Sequence, residues 1–177
     1  IFKVDMWRQT FFSVLSWTLV WTFVATTFQV ALGIFLAIIV NQKDLKGKAI
    51  IRTVFILPWA VPAFVSILVF AGMFNESFGA INRDILGFFG IEGFPWMTEP
   101  IFTRIALILM QTWLGFPFIF AMTTGVLQSI SQDLYEAATV DGASNIQKFK
   151  NITLPLVLYA IAPVLITQYT FNFNNFN

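Results

Sequence analysis

Residues 11–40 read FFSVLSWTLVWTFVATTFQVALGIFLAIIV and contain no charged side chain. About 20 mostly apolar residues in a helix are enough to cross the hydrocarbon core of a bilayer. Further charge-free stretches occupy residues 53–74, 105–127 and 152–176. The sequence therefore predicts an all-α, polytopic transmembrane helical bundle with about four spans, near residues 11–40, 53–74, 102–127 and 152–176.

The composition agrees with a membrane protein and excludes several functions. Apolar residues make up 58% of the chain and charged residues 11%, whereas about a quarter of a soluble domain is charged. The net charge of +1 leaves no basic face for nucleic acid. Since cysteine and histidine are both absent, we expect no metal site and no thiol catalysis. The chain opens on Ile1 and stops within a patterned segment, so we expect a fragment that lacks earlier spans and at least the last one.

The charges between the spans predict the topology. Lysines lie in the first connector, residues 41–52, and in the third, residues 128–151, whereas the second, residues 75–100, is mainly acidic. Short loops rich in Lys and Arg remain on the cytoplasmic side. We therefore expect the first and third connectors inside, and residues 1–10 and the second connector outside. The aromatic residues of the outer connector suit an anchor at the membrane interface; they are Phe88, Phe89, Phe94 and Trp96.

A polar, alanine-rich island interrupts the apolar sequence at residues 136–155, EAATVDGASNIQKFKNITLP. Asp133 and Glu136 have the spacing of a capping box, and so do Ser144 and Gln147, which predicts two short helices. Gly142 suits the position just past the end of the first helix.

The residues alone allow two interpretations of this island. A lipid-surface hairpin would show a large apolar face opposite lysines and arginines. The faces here are small and mixed, which favours a helix that docks in a pocket of another protein. Pro155 predicts a bend at the start of the following span.

The charge-free stretches of the spans carry aromatic and amide side chains, which favours an uncharged substrate. Asn172 and Asn175 are three residues apart, so they share one helical face, close to Phe171. This pattern suits a sugar site, although buried amides also join helices to each other. Pro58 and Pro62 fit either an opened helix that lines a cavity or a packing kink.

The spacing within the island resembles the EAA loop of ABC importer permeases. The matching positions are Glu136, Ala137, Ala138, Gly142, Ile152, Leu154 and Pro155. A closer resemblance, to the MalF-type permease subunit of maltose and maltodextrin importers, lies in three segments: GKAIIRTVFILPWAVPAFVSILVF (47–70), QTWLGFPF (111–118) and TFNFNNF (170–176).

The resemblance implies the permease fold and a membrane-spanning subunit that translocates maltose or maltodextrin across the cytoplasmic membrane of a bacterium or archaeon. It implies that the ATPase couples to Glu136, Ala137, Ala138, Asp141 and Gly142 in the cytoplasmic loop 128–151. The substrate-binding residues it implies are Trp59, Gln111, Leu114, Gly115, Phe118, Phe171, Asn172 and Asn175. Gln111 and Phe118 depart from the family pattern, which has a shorter amide and a tyrosine there.

The same resemblance implies that the chain is not an enzyme and has no catalytic residues. ATP and Mg²⁺ would be held by a dimeric ABC ATPase, and no cofactor would bind to this chain directly. The other implied partners are a second, MalG-like permease subunit, an extracytoplasmic sugar-binding protein and the lipid bilayer.

Three alternatives remain at this point. The substrate could be another neutral oligosaccharide or a sugar derivative such as a glycerol phosphate. The chain could also be a stand-alone channel or secondary transporter, although the complete EAA pattern argues against it. A membrane-embedded enzyme has no support, because the spans hold no nucleophile–base pair or metal cluster.

Overall fold

The computed structural model describes residues 4–42 and 45–175, all of whose regular elements are helical. Lys43 and Asp44 of the first connector and Phe176, the last residue of the fourth predicted span, lie outside these ranges, as do residues 1–3. The α-helices are α1 (Val4–Val40), α2 (Lys48–Ala60), α3 (Ala63–Met73), α4 (Pro100–Ser129), α5 (Gln132–Val140), α6 (Asn145–Lys148) and α7 (Leu154–Phe173). The other regular elements of the described residues are two π-helical segments, Ile81–Leu86 and Phe149–Thr153.

Three helical stretches are long and apolar enough to cross a membrane: Thr10–Val40, Pro100–Ser129 and Asn145–Phe173. They correspond to the first, third and fourth predicted spans. The second, near residues 53–74, is not one straight helix, because α2 and α3 meet at an angle of 93°. The pair counts as a fourth span only if it is taken as one broken crossing.

The break between α2 and α3 has a local cause. Proline disfavours the α conformation at the residue before it, and Val61, which precedes Pro62, is extended with φ −84° and ψ 130°. Pro62 itself lacks the N–H that would continue the helix. Pro58 lies inside α2 and is buried, so one of the two prolines is accommodated and the other ends the helix.

Helices α1 and α4 run side by side in the same direction. Gly33 of α1 lies so close to Ile119 of α4 that a Cβ at Gly33 would overlap the isoleucine side chain. The buried apolar core joins α1, α4 and α7; its members are Ile34, Ala37, Val40, Phe116, Ile119, Phe120, Leu127, Val157 and Ile161.

Helix α7 runs antiparallel to α1. In the middle of α1, Phe23 pairs with Tyr169, while Gln29, further along, meets Gln168, which comes earlier in α7. The hydroxyls of Thr27 and Tyr169 lie 3.2 Å apart. These directions place the first and third connectors at the same end of the bundle, as the loop charges predict. Which end faces the cytoplasm stays a prediction.

The outer connector folds back on itself around Asn82. The Asn82 Oδ1 atom accepts hydrogen bonds from the Trp96 indole Nε1, at 2.7 Å, and from the backbone N–H of Phe94, at 3.1 Å. The Trp96 side chain is buried, which corrects its assignment to an interfacial anchor, whereas Phe94 is half-buried and stays a candidate. Phe88 and Phe89 remain exposed and stay candidates for that anchor.

Candidate functional site

A cavity of about 780 Å³ lies where α1, the break between α2 and α3, the middle of α4 and the end of α7 meet. Among the residues that the structure describes, its lining contains no Asp, Glu, Lys or Arg. The lining residues are Val14, Trp17, Thr18, Trp21, Pro58, Trp59, Ala60, Val61, Pro62, Ala63, Ile67, Leu107, Met110, Gln111, Leu114, Gly115, Phe118, Gln168, Phe171, Phe173 and Asn175. With the topology predicted above, the cavity occupies the middle and outer part of the membrane.

The cavity gathers all the predicted substrate-binding residues except Asn172. These are Trp59, Gln111, Leu114, Gly115, Phe118, Phe171 and Asn175. The Trp59 and Phe118 rings pair at a centroid distance of 6.0 Å across α2 and α4. The geometry brings these side chains together from three helices, and their role in binding a substrate stays a prediction.

Asn172 lies behind the cavity wall and is fully buried. Its Oδ1 accepts a hydrogen bond of 2.8 Å from Gln111 Nε2, and its Nδ2 donates to Thr26 Oγ1 at 2.8 Å. The same Nδ2 lies 3.2 Å from Gln29 Oε1. Asn172 thus joins α7 to α1 and α4, and its hydrogen bond with Gln111 connects it to the cavity wall.

Gln29 is the second centre of this buried network, and sequence reasoning missed it. Its Nε2 donates to the backbone carbonyl of Gln111 at 2.8 Å, and its Oε1 accepts from Gln168 Nε2 at 3.3 Å. The Gln29 amide fills the space beside Gly115, where a Cβ would overlap it. An amide within an otherwise apolar run was the available signal, because such a group needs partners when it is buried.

Sequence reasoning also missed the cavity wall supplied by α1. Trp17, Thr18 and Trp21 line it, together with Met110 and Phe173 from the other helices. The spacing of Trp17 and Trp21 placed both on one helical face, but nothing in the sequence said what that face would meet.

On the side predicted to be cytoplasmic, α5 forms the short helix expected in the island. Its N-cap is Ser131, whose Oγ accepts a hydrogen bond from the Asp133 N–H at 3.3 Å. The Asp133–Glu136 capping box is therefore wrong. The chain leaves α4 extended at Ile130 and Ser131, so the helix begins two residues earlier and Asp133 falls inside it.

The end of α5 is a glycine-terminated turn, as predicted. Gly142 has φ 77°, its N–H donates to the Thr139 carbonyl at 3.1 Å, and the Ala143 N–H donates to the Ala138 carbonyl at 2.8 Å. This pair of bonds is the Schellman motif, which favours glycine at the left-handed position. The Ser144–Gln147 capping box that follows is confirmed, with both reciprocal bonds present.

Two side-chain hydrogen bonds tie α5 to the base of α7. Lys148 Nζ donates to Thr139 Oγ1 at 2.8 Å, and the hydroxyls of Tyr135 and Thr153 lie 2.9 Å apart. A π-helical turn at Phe149–Thr153 lies just before Pro155 at the start of α7, and the bend expected at this proline stays a prediction.

The predicted coupling residues lie on this projecting segment. Glu136, Ala137, Asp141 and Gly142 are exposed, and Ala138 is half-buried. The neighbouring Val140 is 87% exposed, so the end of α5 offers apolar as well as polar surface to a partner.

Helices long enough to cross a membrane, a cavity between them and a short helix that projects from one end of the bundle together fit a transport permease. Residues 29–176 match the family described as "binding-protein-dependent transport system inner membrane component". The chain belongs to this family, and its resemblance to sugar ABC importer permeases is confirmed.

Two curated relatives are similar over the whole chain. One is the galactooligosaccharides transport system permease protein GanP of Bacillus subtilis (strain 168), 68% identical over 177 residues. The other is the maltodextrin transport system permease protein MdxF of the same organism, 53% identical over 183 aligned residues. The chain spans 42% of the length of each relative.

A solved structure supports the fold. A chain of the bacterial alginate ABC transporter, in complex with an alginate pentasaccharide-bound periplasmic protein, superposes with a TM-score of 0.78 at 27% identity. The match covers 86% of this chain and 53% of that one.

Proposed function

We propose that this chain forms the membrane-spanning core of a permease subunit in an ATP-driven importer of neutral oligosaccharides. The observation that carries the proposal is the cavity lining, in which Trp59, Phe118 and Phe171 are joined by the amides of Gln111 and Asn175. Aromatic faces stack against sugar rings and amides bind hydroxyls, whereas a charged substrate would need the countercharges that the lining lacks.

Two classes of neutral oligosaccharide are candidate substrates. Galactooligosaccharides are favoured by the 68% identity with GanP. Maltodextrins are the second candidate, supported by the 53% identity with MdxF and by the MalF-type segments of the sequence. Both classes are neutral and rich in hydroxyl groups, so the cavity chemistry suits either one.

We further propose that α5 is the coupling helix, which docks into a dimeric ABC ATPase on the cytoplasmic side. The ATPase would hold ATP and Mg²⁺ and carry out hydrolysis, while this chain has no catalytic role. Closure of the ATPase would move α5, and the Gly142 turn with the Lys148–Thr139 and Tyr135–Thr153 contacts would transmit that movement to α7.

The complete importer would include a second, MalG-like permease subunit and an extracytoplasmic sugar-binding protein, in the cytoplasmic membrane of a bacterium or archaeon. The periplasmic protein bound to the alginate transporter supports the second of these partners.

Reconstitution of the complete complex in proteoliposomes tests the proposal. We expect uptake of labelled galactotriose or maltotriose that requires both internal ATP and the binding protein. Unlabelled neutral oligosaccharides should inhibit this uptake, whereas glycerol phosphate should not. Uptake without ATP would instead identify a channel or secondary transporter. Trp59→Ala should reduce uptake, whereas Trp113→Leu, which changes a tryptophan of α4 outside the cavity lining, serves as the matched control.

A further inference from the structure

Two tryptophans of α1 form a wall of the cavity that none of the predicted substrate residues contributes. Trp17 and Trp21 are one helical turn apart, and their rings lie at a centroid distance of 6.2 Å with an interplanar angle of 47°. Both line the cavity beside Thr18. They give α1 an aromatic surface that faces the space between the helices.

Arg104 fixes the outer end of this surface. Its Cζ atom lies 4.6 Å from the centroid of the Trp17 ring, which is a cation–π contact between the start of α4 and α1. The guanidinium occupies one face of the indole and limits how it can turn. Trp17 is therefore held as a rigid aromatic side chain, which loses little entropy when a ligand stacks on it.

The indole Nε1 of Trp21 is buried and has no hydrogen-bond acceptor among the described residues. A buried donor without a partner costs free energy, and native structures usually supply one. Because Trp21 borders the cavity, a ligand hydroxyl is an acceptor within reach once the ring turns toward the space.

The tryptophan wall lies at a different level from the Trp59–Phe118 pair of the predicted site. Arg104 marks the level of Trp17 on α4, whereas Trp59 pairs with Phe118 further along the same helix. At about 1.5 Å per residue, Arg104 and Phe118 are about 21 Å apart along α4. Measured along α4, the cavity thus has one aromatic surface toward each end.

We propose that Trp17 and Trp21 form a second sugar-stacking subsite, outer to the Trp59–Phe118 pair, which selects oligosaccharides of three or more rings. The proposal rests on the proposed function, because it requires that the cavity bind a neutral oligosaccharide. In it, one ring of the sugar stacks near Trp59, a later ring stacks on Trp17, and Trp21 Nε1 donates to a hydroxyl between them.

The test measures ATP-dependent uptake of a di-, tri- and tetrasaccharide of the imported sugar class, normalised to the amount of assembled complex. Trp17→Ala should raise the half-saturation concentration for the tri- and tetrasaccharide about three- to tenfold and that for the disaccharide less than about twofold, in line with the strength of aromatic stacking. Trp17→Phe should restore most of the affinity, since it keeps an aromatic face.

Three further variants separate the contributions. Trp21→Phe keeps a ring but removes the N–H, so it should weaken the longer sugars less than Trp21→Leu does. Arg104→Gln removes the cation–π contact and should give a smaller, length-dependent loss. Trp113→Leu, a tryptophan change outside the cavity lining, should leave all three sugars unaffected.

The outcomes are distinguishable from failure of the proposed function. If the unmodified complex imports no oligosaccharide, the proposed function itself is wrong. If it imports them and Trp17→Ala weakens all lengths equally, or none, the outer subsite is wrong. If Trp17→Ala and Trp17→Phe only lower the amount of assembled complex, the tryptophans pack against another part of the importer and the subsite is again refuted.

Discussion

Gln111 Nε2 and Asn172 Oδ1 are joined by a hydrogen bond of 2.8 Å, which connects a side chain of the cavity wall to one that is completely buried behind it. The bond lies between α4 and α7, and Thr26 and Gln29 extend it to α1. Asn172 therefore has two roles in this arrangement. It holds three helices together, and it orients the Gln111 amide at the cavity wall.

Replacing Asn172 by alanine should weaken the helix bundle. The change leaves Gln111, Thr26 and Gln29 each short of a partner, and interhelical hydrogen bonds in membranes contribute about 0.6 kcal/mol on average and about 1.7 at most. We expect the complex in detergent to lose about 1–3 kcal/mol of stability. Thermal unfolding of the purified complex measures this loss. Uptake per intact complex should also fall several-fold, because Gln111 loses its orientation.

Asn174→Ala is the matched control for this variant. Asn174 is exposed, and its side chain donates to the Thr170 carbonyl of its own helix at 2.8 Å. Equal thermal stability of the two variants would contradict the structural role of Asn172.

Gly115 should tolerate no side chain, because a Cβ there would overlap the Gln29 amide. Overpacking of this kind costs about 1–3 kcal/mol, so Gly115→Ala should lower the stability of the complex by that amount. Gly125→Ala lies on the same helix with nothing within 4 Å of the added Cβ, and it should be neutral or slightly stabilising.

A double-mutant cycle with Gln29→Ala tests the contact directly. Removing the amide makes room for the new methyl group, so the double variant should be more stable than the sum of the two single changes predicts. Strict additivity would show that the two residues do not interact.

The sequence was informative where the determining physics is local. Charge-free length identified the stretches that cross or enter the membrane. The Ser144–Gln147 capping box and the Gly142 turn each depend on residues a few positions apart, and both are present as predicted. The break at Val61 is equally local, but the sequence left two outcomes open for Pro58 and Pro62, and only packing decides which proline ends the helix.

The buried network could not be read from the sequence. Gln29 and Gln111 are separated by 82 positions, and Asn172 and Thr26 by 146. The sequence indicates that each buried amide needs a hydrogen-bond partner. Which residue is the partner depends on how α1, α4 and α7 pack against each other. For the same reason the sequence left both a sugar site and an interhelical contact open for the amides at the end of α7, and the structure places Asn172 behind the cavity wall.

Gly142→Val should uncouple ATP hydrolysis from transport. A Cβ added there would meet no neighbour within 4 Å, so the expected effect comes from φ 77°, which is strained for a β-branched residue. We expect fewer sugar molecules imported per ATP hydrolysed, with the complex still assembled. Gly142→Asn is the control, because asparagine adopts this conformation more readily; normal coupling in both variants would mean that the turn is not part of the transmission.

The outer connector should loosen in acid through Glu76. Its Oε1 accepts hydrogen bonds from the backbone N–H groups of Met97 and Thr98, both at 2.9 Å. The Met97 bond is the largest cause that holds the pKa of Glu76 below its ordinary value. Because the folded state favours the ionised form, this stabilisation is complete above the pKa of an unfolded glutamate, about 4.3, and is lost as the pH falls through the lower folded value.

Hydrogen–deuterium exchange of the Met97 and Thr98 amides measures this effect, after correction for the intrinsic pH dependence of exchange. Protection should fall as the pH is lowered through that window. Glu76→Gln should show reduced protection already at neutral pH and little further change in acid. Glu92→Gln, a change at an exposed position of the same connector, should behave like the parent.

Cysteine accessibility should settle the orientation in the membrane, and the natural absence of cysteine provides a clean background. Ser144 is a poor site for the probe because it caps α6, so the exposed Ile146 is preferable. Ser77→Cys should react with an impermeant maleimide in intact cells, whereas Ile146→Cys and Gln42→Cys should react only after permeabilisation. The lysines of the first and third connectors motivate this expectation.

The three positions also test the fold separately from the charge rule. Because α1 and α4 are parallel and α7 is antiparallel to α1, Gln42 and Ile146 lie on one face of the bundle and Ser77 on the other. An inverted pattern, with Gln42 and Ile146 labelled in intact cells, would overturn the orientation but keep the fold. Labelling of Gln42 and Ile146 from opposite sides would contradict the arrangement of the helices itself.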